Sequence, residues 1–283
     1  MYVLRISDPC DIPALRQLWT LAFGDGGDYL DNFFNVYYRP ERMLVLEEEG
    51  QILAMTAWFD TSFEVPGQGS FPAAYLYAVA THPDFRSRGL SGRLLAWADE
   101  YFRSLGIPAV TTVPARPSLH NFFAANGFRE CFCHDELRAR ALSPSGAAPF
   151  CLESLTPETY GALRETMLNG IPHISFPPDA LTYQSGCCRI SGGGLYTAQT
   201  GWGPVLLCAE GMEDGTLLLK ELLGEPQARE ELLTYLPALL PAFSGIYRIP
   251  GTSIPFGMLK WLANDAQRRW DWSSTAYLGL AFD

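Results

Sequence analysis

The residues best equipped for chemistry form one continuous run, Val79-Ala80-Thr81-His82-Pro83-Asp84-Phe85-Arg86-Ser87-Arg88-Gly89-Leu90-Ser91-Gly92-Arg93-Leu94-Leu95. It reads as an apolar strand, a basic glycine-bearing turn and the start of a helix. Backbone N–H groups in the first helical turn have no intrahelical partner, and the helix dipole makes that end positive. Such a turn can cradle a pyrophosphate. An ordinary strand-to-helix turn is the alternative, since short glycine-bearing turns are common. Leu90, Leu94, Leu95, Ala98, Tyr101, Phe102 and Leu105 then keep helical spacing, and Gly106 with Pro108 ends the helix.

The elements that must position this run can be read on either side of it. Tyr2 to Ile6 is strand-like, and Asp8-Pro9 or Asp11-Ile12-Pro13 starts a helix with proline near its first turn. Ile12, Leu15, Leu18, Trp19 and Ala22 form an apolar helical stripe, and Phe33, Phe34 and Tyr37 suggest a second helix. Met43 to Leu46 and Ile52 to Val65 read as strands joined by the acidic turn Glu47-Glu48-Glu49-Gly50, ahead of a strand from Ala73 to Thr81. Downstream, Ala109 to Val113 is a further strand, followed by a helix over Ser118 to Ala125 that Gly127 terminates in a left-handed conformation.

With these elements in place, Arg86-Ser87-Arg88-Gly89-Leu90-Ser91 resembles the R/Q-x-x-G-x-G/A loop of the GNAT acetyltransferases, with Ser91 where the family prefers Gly or Ala. The stretch Phe122-Phe123-Ala124-Ala125-Asn126-Gly127-Phe128 resembles the family's F-Y-x-x-x-G-F ending. The resemblance implies an α/β fold: a mixed, mostly antiparallel central sheet flanked by helices, over residues 1–141. It implies acetyl-CoA as the acetyl-donor co-substrate, bound by Val79, Ala80, Thr81, Arg86, Ser87, Arg88, Gly89, Leu90, Ser91 and Gly92, with Arg93 adding charge. The pantetheine would follow Val79 to Thr81, where the strand splays from its neighbour, and the Val79 N–H would hold the oxyanion.

The implied reaction is direct attack of an amine on the thioester, which needs an orienting site, an oxyanion donor, a base and an acid. Here the sequence departs from the family. The position of its usual tyrosine acid is Phe123, and a gapless count places Tyr75 where histone-acetylating members carry a glutamate base. Strand alternation puts Tyr75, Tyr77, Val79 and Thr81 on one face, so Tyr77 and Tyr75 are the candidate catalytic residues, packing being their alternative role. Glu64, His134 and the C-terminal carboxylate of Asp283 are further candidates.

The chain has 283 residues, enough for two ordinary domains, and 48% hydrophobic with 18% charged residues describes a globular protein rather than a disordered one. A formal net charge of -11 argues against an extended nucleic-acid surface and is compatible with a small cationic amine as acceptor, although acidic chains are common for other reasons. No signal-peptide pattern opens the chain and no apolar run approaches the ~20 residues that cross a bilayer, so a cytoplasmic location and no membrane partner are expected. The 7 cysteines lack metal-ligand spacing, so no metal is expected and reduced thiols are the default. Cys131 and Cys133 share a strand face, which leaves a catalytic thiol open.

Residues 142–149, rich in Pro, Gly and Ser, read as a linker to a second domain over 150–283. Phe150 to Leu155 is strand-like, Thr156-Pro157 starts a helix, and strands at Leu195 to Ala198, Pro204 to Ala209 and Thr216 to Leu219 lead to a helix over Gln227 to Leu240. That order echoes the first half and suggests a degenerate GNAT-like copy; an unrelated α/β module lining an acceptor cleft is the alternative, and Trp202, Trp261, Trp270 and Trp272 would suit either a cleft or a core. In the second half Glu221-Leu222-Leu223-Gly224-Glu225-Pro226 replaces the basic turn, which should repel a pyrophosphate. A non-catalytic acyl-CoA-binding or sensing module is the functional alternative, motivated by Phe123.

Overall fold

The computed structural model describes residues 1–140, 147–263 and 270–282. In chain order the elements begin β1 (Tyr2–Ile6), α1 (Ile12–Phe23), α2 (Gly27–Asn32), β2 (Met43–Glu48), β3 (Gln51–Val65), β4 (Gly69–Thr81), α3 (Leu90–Ser104), β5 (Ala109–Thr112) and α4 (Pro117–Ala125). They continue with β6 (Arg129–Arg140), β7 (Glu153–Ser154), α5 (Pro157–Met167), β8 (His173–Ser175), α6 (Pro178–Ile190), β9 (Gly194–Thr200) and β10 (Gly203–Gly211). The last are β11 (Thr216–Leu223), α7 (Pro226–Leu239), β12 (Ser244–Pro250) and β13 (Ile254–Trp261).

These elements assemble into two compact units, the first comprising Met1–Cys131 and Gly257–Ser274, the second Phe132–Phe256 and Thr275–Asp283. Residues 142–146 of the stretch read as a linker lie outside the described residues. The first unit completes its sheet with β13, a strand from much later in the chain. In the first unit the order is β1-β2-β3-β4-β5-β13, with β4 and β5 parallel and the other neighbours antiparallel. In the second it is β7-β9-β10-β11-β12-β6, with β11 and β12 parallel and the rest antiparallel. Strand order and direction thus repeat, and α7 joins β11 to β12 as α3 joins β4 to β5. A parallel pair needs such a crossover, because a hairpin can only reverse the chain.

The first unit's main core lies where α3 packs on the sheet: Leu90, Leu94, Leu95, Ala98 and Phe102 meet Trp58, Ala74, Leu76, Val110 and Met258. Their spacing in α3 is the 3.6-residue stripe read from the sequence. The opposite face carries an aromatic cluster in which Trp19 of α1 and Phe33 pack against Tyr77, and Tyr37 stacks on Phe59 at 4.1 Å. In the second unit Ala228, Leu232 and Leu236 of α7 bury against Val205, Leu207, Leu217, Leu219 and Tyr247.

One electrostatic clamp ties three elements of the first unit together. Lys260 on β13 hydrogen-bonds Asp99 of α3 and, at 2.7 Å, the carbonyl of Asn126 at the end of α4. Burial pushes the Asp99 carboxyl above its ordinary pKa, and the Lys260 ammonium holds part of that rise back. No helix among the described residues is long and apolar enough to cross a membrane.

Candidate functional site

The site begins with an irregularity in β4. Tyr77 pairs with Ala57 and Ala80 pairs with Met55, so Ala78 and Val79 together oppose Thr56 alone. Ala78 takes the extra residue's strain at φ 51°, in the left-handed region that alanine seldom visits. Thr56, fully buried, donates its hydroxyl to the Ala57 carbonyl at 3.1 Å and lies 3.3 Å from the Tyr77 carbonyl.

The bulge resets the alternation of the strand. Before it, Leu76 faces the α3 core and Tyr77 the aromatic cluster; after it, Val79 packs on the α3 core and Thr81 bonds to α3. The expectation that Tyr75, Tyr77, Val79 and Thr81 share one face is corrected accordingly. Tyr75 and Tyr77 do share the Phe59 face, but one inserted residue turns Val79 and Thr81 to the other.

Beside the bulge, β4 loses a neighbour. Parallel pairing with β5 runs from Ala73↔Ala109 to Leu76↔Thr112 and goes no further, so the edge of β4 from Tyr77 to Thr81 is not covered by β5. A ligand chain running along that edge could take the backbone hydrogen bonds that β5 leaves.

After Thr81 the chain makes a short 3-10 turn, Pro83–Phe85, with Asp84 N–H donating to His82 Nδ1 at 3.3 Å. Ser87 and Gly89 both adopt positive φ, 62° and 74°, and Gly89 caps α3 with no side-chain hydrogen bond. The first intrahelical bond spanning the turn runs from Arg93 N–H to the Gly89 carbonyl. The N–H groups of Leu90, Ser91 and Gly92 therefore point out of the helix start, where α-helix geometry leaves them without i−4 acceptors. A Cβ at Gly89 would meet no protein atom within 4 Å, so the space directly in front of the turn is open. A Cβ at Gly92 would only touch the Asn126 side chain, at 3.5 Å.

The arginines of the turn are exposed and held by weak contacts that a phosphate could replace. Arg86 Nε lies 3.3 Å from the Thr81 carbonyl, Arg88 sits over the Phe85 ring and 3.4 Å from the Asp84 carbonyl, and Arg93 sits over Tyr2. The Ser91 hydroxyl lies 2.5 Å from that of Thr81. That bond gives Ser91 a local role at the position where it departs from the motif.

The remaining candidates fall in different places. Phe123 is in the α3-side core and 5% exposed. Tyr75 is buried and still paired on both edges, to Phe59 and Thr111. Tyr77 is half-buried, and its hydroxyl lies 2.5 Å from that of Tyr29, a residue the sequence offered no reason to select. Glu64 accepts a bond from Ser70 at the far end of the β3–β4 hairpin. His134 is buried against Phe256 in the second unit, Cys131 and Cys133 are buried, and Asp283 lies outside the described residues. Trp261 and Trp270 pack around Phe63, Trp272 lies under Arg129, and Trp202 is exposed. Among the described residues no cluster of His, Cys, Asp and Glu could hold a metal.

The second unit's counterpart is internally satisfied. Parallel pairing of β11 with β12 also ends after four residues, at Leu219↔Tyr247. The next two residues, Lys220 and Glu221, are buried charges with partners inside the unit. Lys220 donates to the Ala281 carbonyl and pairs with Glu210, while Glu221 accepts from Tyr160 at 2.7 Å and from Arg164. Glu221 is therefore not a loop carboxylate facing solvent, as expected above; it belongs to β11, and Arg164 draws it inward. Glu225 stands at the start of α7, where the sequence placed it.

Residues 4–124 match the acetyltransferase (GNAT) domain family. No curated protein sequence matches the chain. In fold, the chain is similar to Eis1 from Mycobacterium abscessus, with TM-score 0.68 and 14% identity over 93% of this chain and 75% of that one. It is similar also to a GCN5-related N-acetyltransferase from Anabaena variabilis, with TM-score 0.71 and 15% identity over 93% and 73% of the two chains. Another such protein, from Kribbella flavida, matches at TM-score 0.65 and 15% identity over 92% and 70%. At these identities the likeness is one of fold. The bulged β4, its parting from β5 and the open start of α3 all lie within the residues that match the GNAT domain model.

Proposed function

We propose that the protein transfers an acetyl group from acetyl-CoA to the primary amine of a small cationic acceptor, by direct attack of the amine on the thioester. The observation that carries this reading is the parting of β4 from β5 beside the Ala78 bulge, in line with the open N-terminus of α3. The pyrophosphate would rest on the Ser87–Gly92 amides with Arg86, Arg88 and Arg93 beside it, and the pantetheine would run along Val79, Ala80 and Thr81. The Val79 N–H would stabilise the tetrahedral oxyanion. Only the first unit would bind cofactor, because the matching residues of the second, Lys220 and Glu221, are engaged in buried pairs. The acceptor, the cytoplasmic setting and the division into a cofactor domain at 1–141 and a second domain at 150–283 belong to the same proposal.

A second reading, a non-catalytic acyl-CoA-binding or sensing module, is favoured by one observation. Phe123, at the position of the family's tyrosine acid, is packed in the core and has no proton to give. Release of free CoA from acetyl-CoA, measured with polyamines, aminoglycosides and amino-acid amides as acceptors, separates the two. Amine-stimulated release supports the transferase; tight acetyl-CoA binding with no stimulated release across the panel supports the sensor.

A further inference from the structure

We propose that Thr56 is a positioning residue of the acetyl transfer, its buried hydroxyl holding the Ala78 bulge in the conformation that aims the Val79 N–H at the thioester oxygen. The inference rests on the transferase reading and names what keeps that same site in shape.

Ala78 is an unexpected residue for its place. A left-handed residue opening a bulge is ordinarily glycine, because a Cβ there crowds the backbone. Alanine at φ 51° persists only where its surroundings impose the conformation. The residue opposite Ala78 and Val79 is Thr56 of β3, and its other edge pairs with Leu44 of β2, so its own backbone is fixed from both sides. Strand alternation sets its side chain on the face of Ala54 and Trp58, which belong to the α3-side core, and it is fully buried. A hydroxyl in such apolar surroundings must find its acceptor within the protein. Two backbone carbonyls are in reach, that of Ala57 at 3.1 Å and that of Tyr77 at 3.3 Å, with one hydroxyl proton to share between them.

The contact with Tyr77 is the one that acts on the site. The Tyr77 carbonyl belongs to the peptide that ends at the Ala78 nitrogen, and the Ala78 torsions are measured from that peptide plane. Holding the plane against β3 therefore sets the direction of the next N–H, which is that of Val79. An oxyanion donor is effective when it already points where the charge will develop. Without the Thr56 hydroxyl, relief of the alanine strain rotates the held peptide and turns the Val79 N–H with it.

The test reads the thioester carbonyl directly, by infrared difference spectroscopy of acetyl-CoA isotope-labelled at that carbon, alongside kcat and KM with hydroxylamine, an acceptor small enough to need no dedicated pocket. In wild type the bound carbonyl should absorb at lower wavenumber than the free one. Thr56→Val keeps the side chain's shape and removes the hydroxyl: the band should return toward its free position and kcat should fall at least about tenfold, with KM for acetyl-CoA within about twofold. Thr56→Ser keeps the hydroxyl and should stay within about threefold of wild type in kcat. Combining Thr56→Val with Ala78→Gly should restore most of kcat and the shifted band, because glycine holds the left-handed conformation unaided. A Thr56→Val protein with the wild-type band and rate overturns the assignment. So does a Thr56→Ser protein as impaired as Thr56→Val, or a folded double variant whose band stays at the free position, and the double variant carries the test where Thr56→Val alone does not fold. A wild type that shifts the carbonyl band yet releases no CoA overturns the transferase reading, and the band in the variants then decides the role of Thr56.

Discussion

The hydroxyls of Thr81 and Ser91 lie 2.5 Å apart, joining the last residue of β4 to the first turn of α3 across the basic loop. The loop between them is the proposed phosphate site, and this bond fixes the distance between the strand and the helix that bound it. Removing it should loosen the cradle without emptying it. In Ser91→Ala, acetyl-CoA affinity measured by calorimetry should weaken by no more than about tenfold, the worth of one hydrogen bond. Ser91→Asp should weaken it further, since a carboxylate would stand beside the bound phosphates.

The Lys260 clamp on Asp99 and Asn126 joins β13 to both helices behind the site. Lys260→Met leaves the Asp99 carboxyl buried without its cation, and the loss should approach about 3 kcal/mol in urea unfolding, as for other broken buried pairs. Replacing both, Lys260→Met with Asp99→Leu, should recover most of that loss, because neither buried charge then remains. A double variant no better than the single one would mean that β13 docking, not charge pairing, was lost.

In the second unit Arg164 is 1% exposed and bonded to Glu221, to the Ile174 carbonyl and to the Leu278 carbonyl. Arg164→Met should destabilise the protein by about 3–5 kcal/mol, stranding Glu221 in the interior. Acetyl-CoA affinity measured below the unfolding transition should be unchanged, since the proposed site lies in the first unit.

Acid sensitivity should have a local source in the first unit. Arg5 hydrogen bonds to Asp11 at 2.6 and 3.0 Å hold that carboxyl below the usual range, against burial, which acts to raise it. Its contribution is therefore complete above the ordinary carboxylate pKa of about 4 and is lost as pH falls through the lower folded value. The pair is partly exposed, so the effect is at most about 1 kcal/mol. Comparing urea midpoints at neutral and acid pH, Asp11→Asn should narrow the wild-type difference, mainly by lowering the neutral value.

What the sequence revealed follows from the range of the forces involved. The α3 stripe, the glycine stops at Gly106 and Gly127 and the basic turn are local signals, and the helix and turn stand where those signals put them. The Ala78 bulge has no such signal: alanine at φ 51° is tolerated only because β3 and the flanking pairs impose it, and it inverts the side-chain parity on which the tyrosine assignment depended. The pairing of β13 with β5 is equally hidden, since nothing near Met258 specifies Thr112 as its partner. Glu221 looked like a loop carboxylate because its buried partner Arg164 stands 57 residues away. Tyr29 escaped notice for the same reason, its contact with Tyr77 spanning 48 residues.

The most direct test of the central claim is a calorimetric titration of acetyl-CoA into wild type and Gly89→Val. Gly89 sits at φ 74° with no protein atom within 4 Å of an added Cβ, so valine should strain the turn by about 1–2 kcal/mol and fill the space the pyrophosphate needs, while leaving the core untouched. Wild type should bind one acetyl-CoA per chain, and Gly89→Val, folded by circular dichroism, should bind none. Unchanged affinity in Gly89→Val, or two equivalents per wild-type chain, would contradict a single cofactor site at the start of α3.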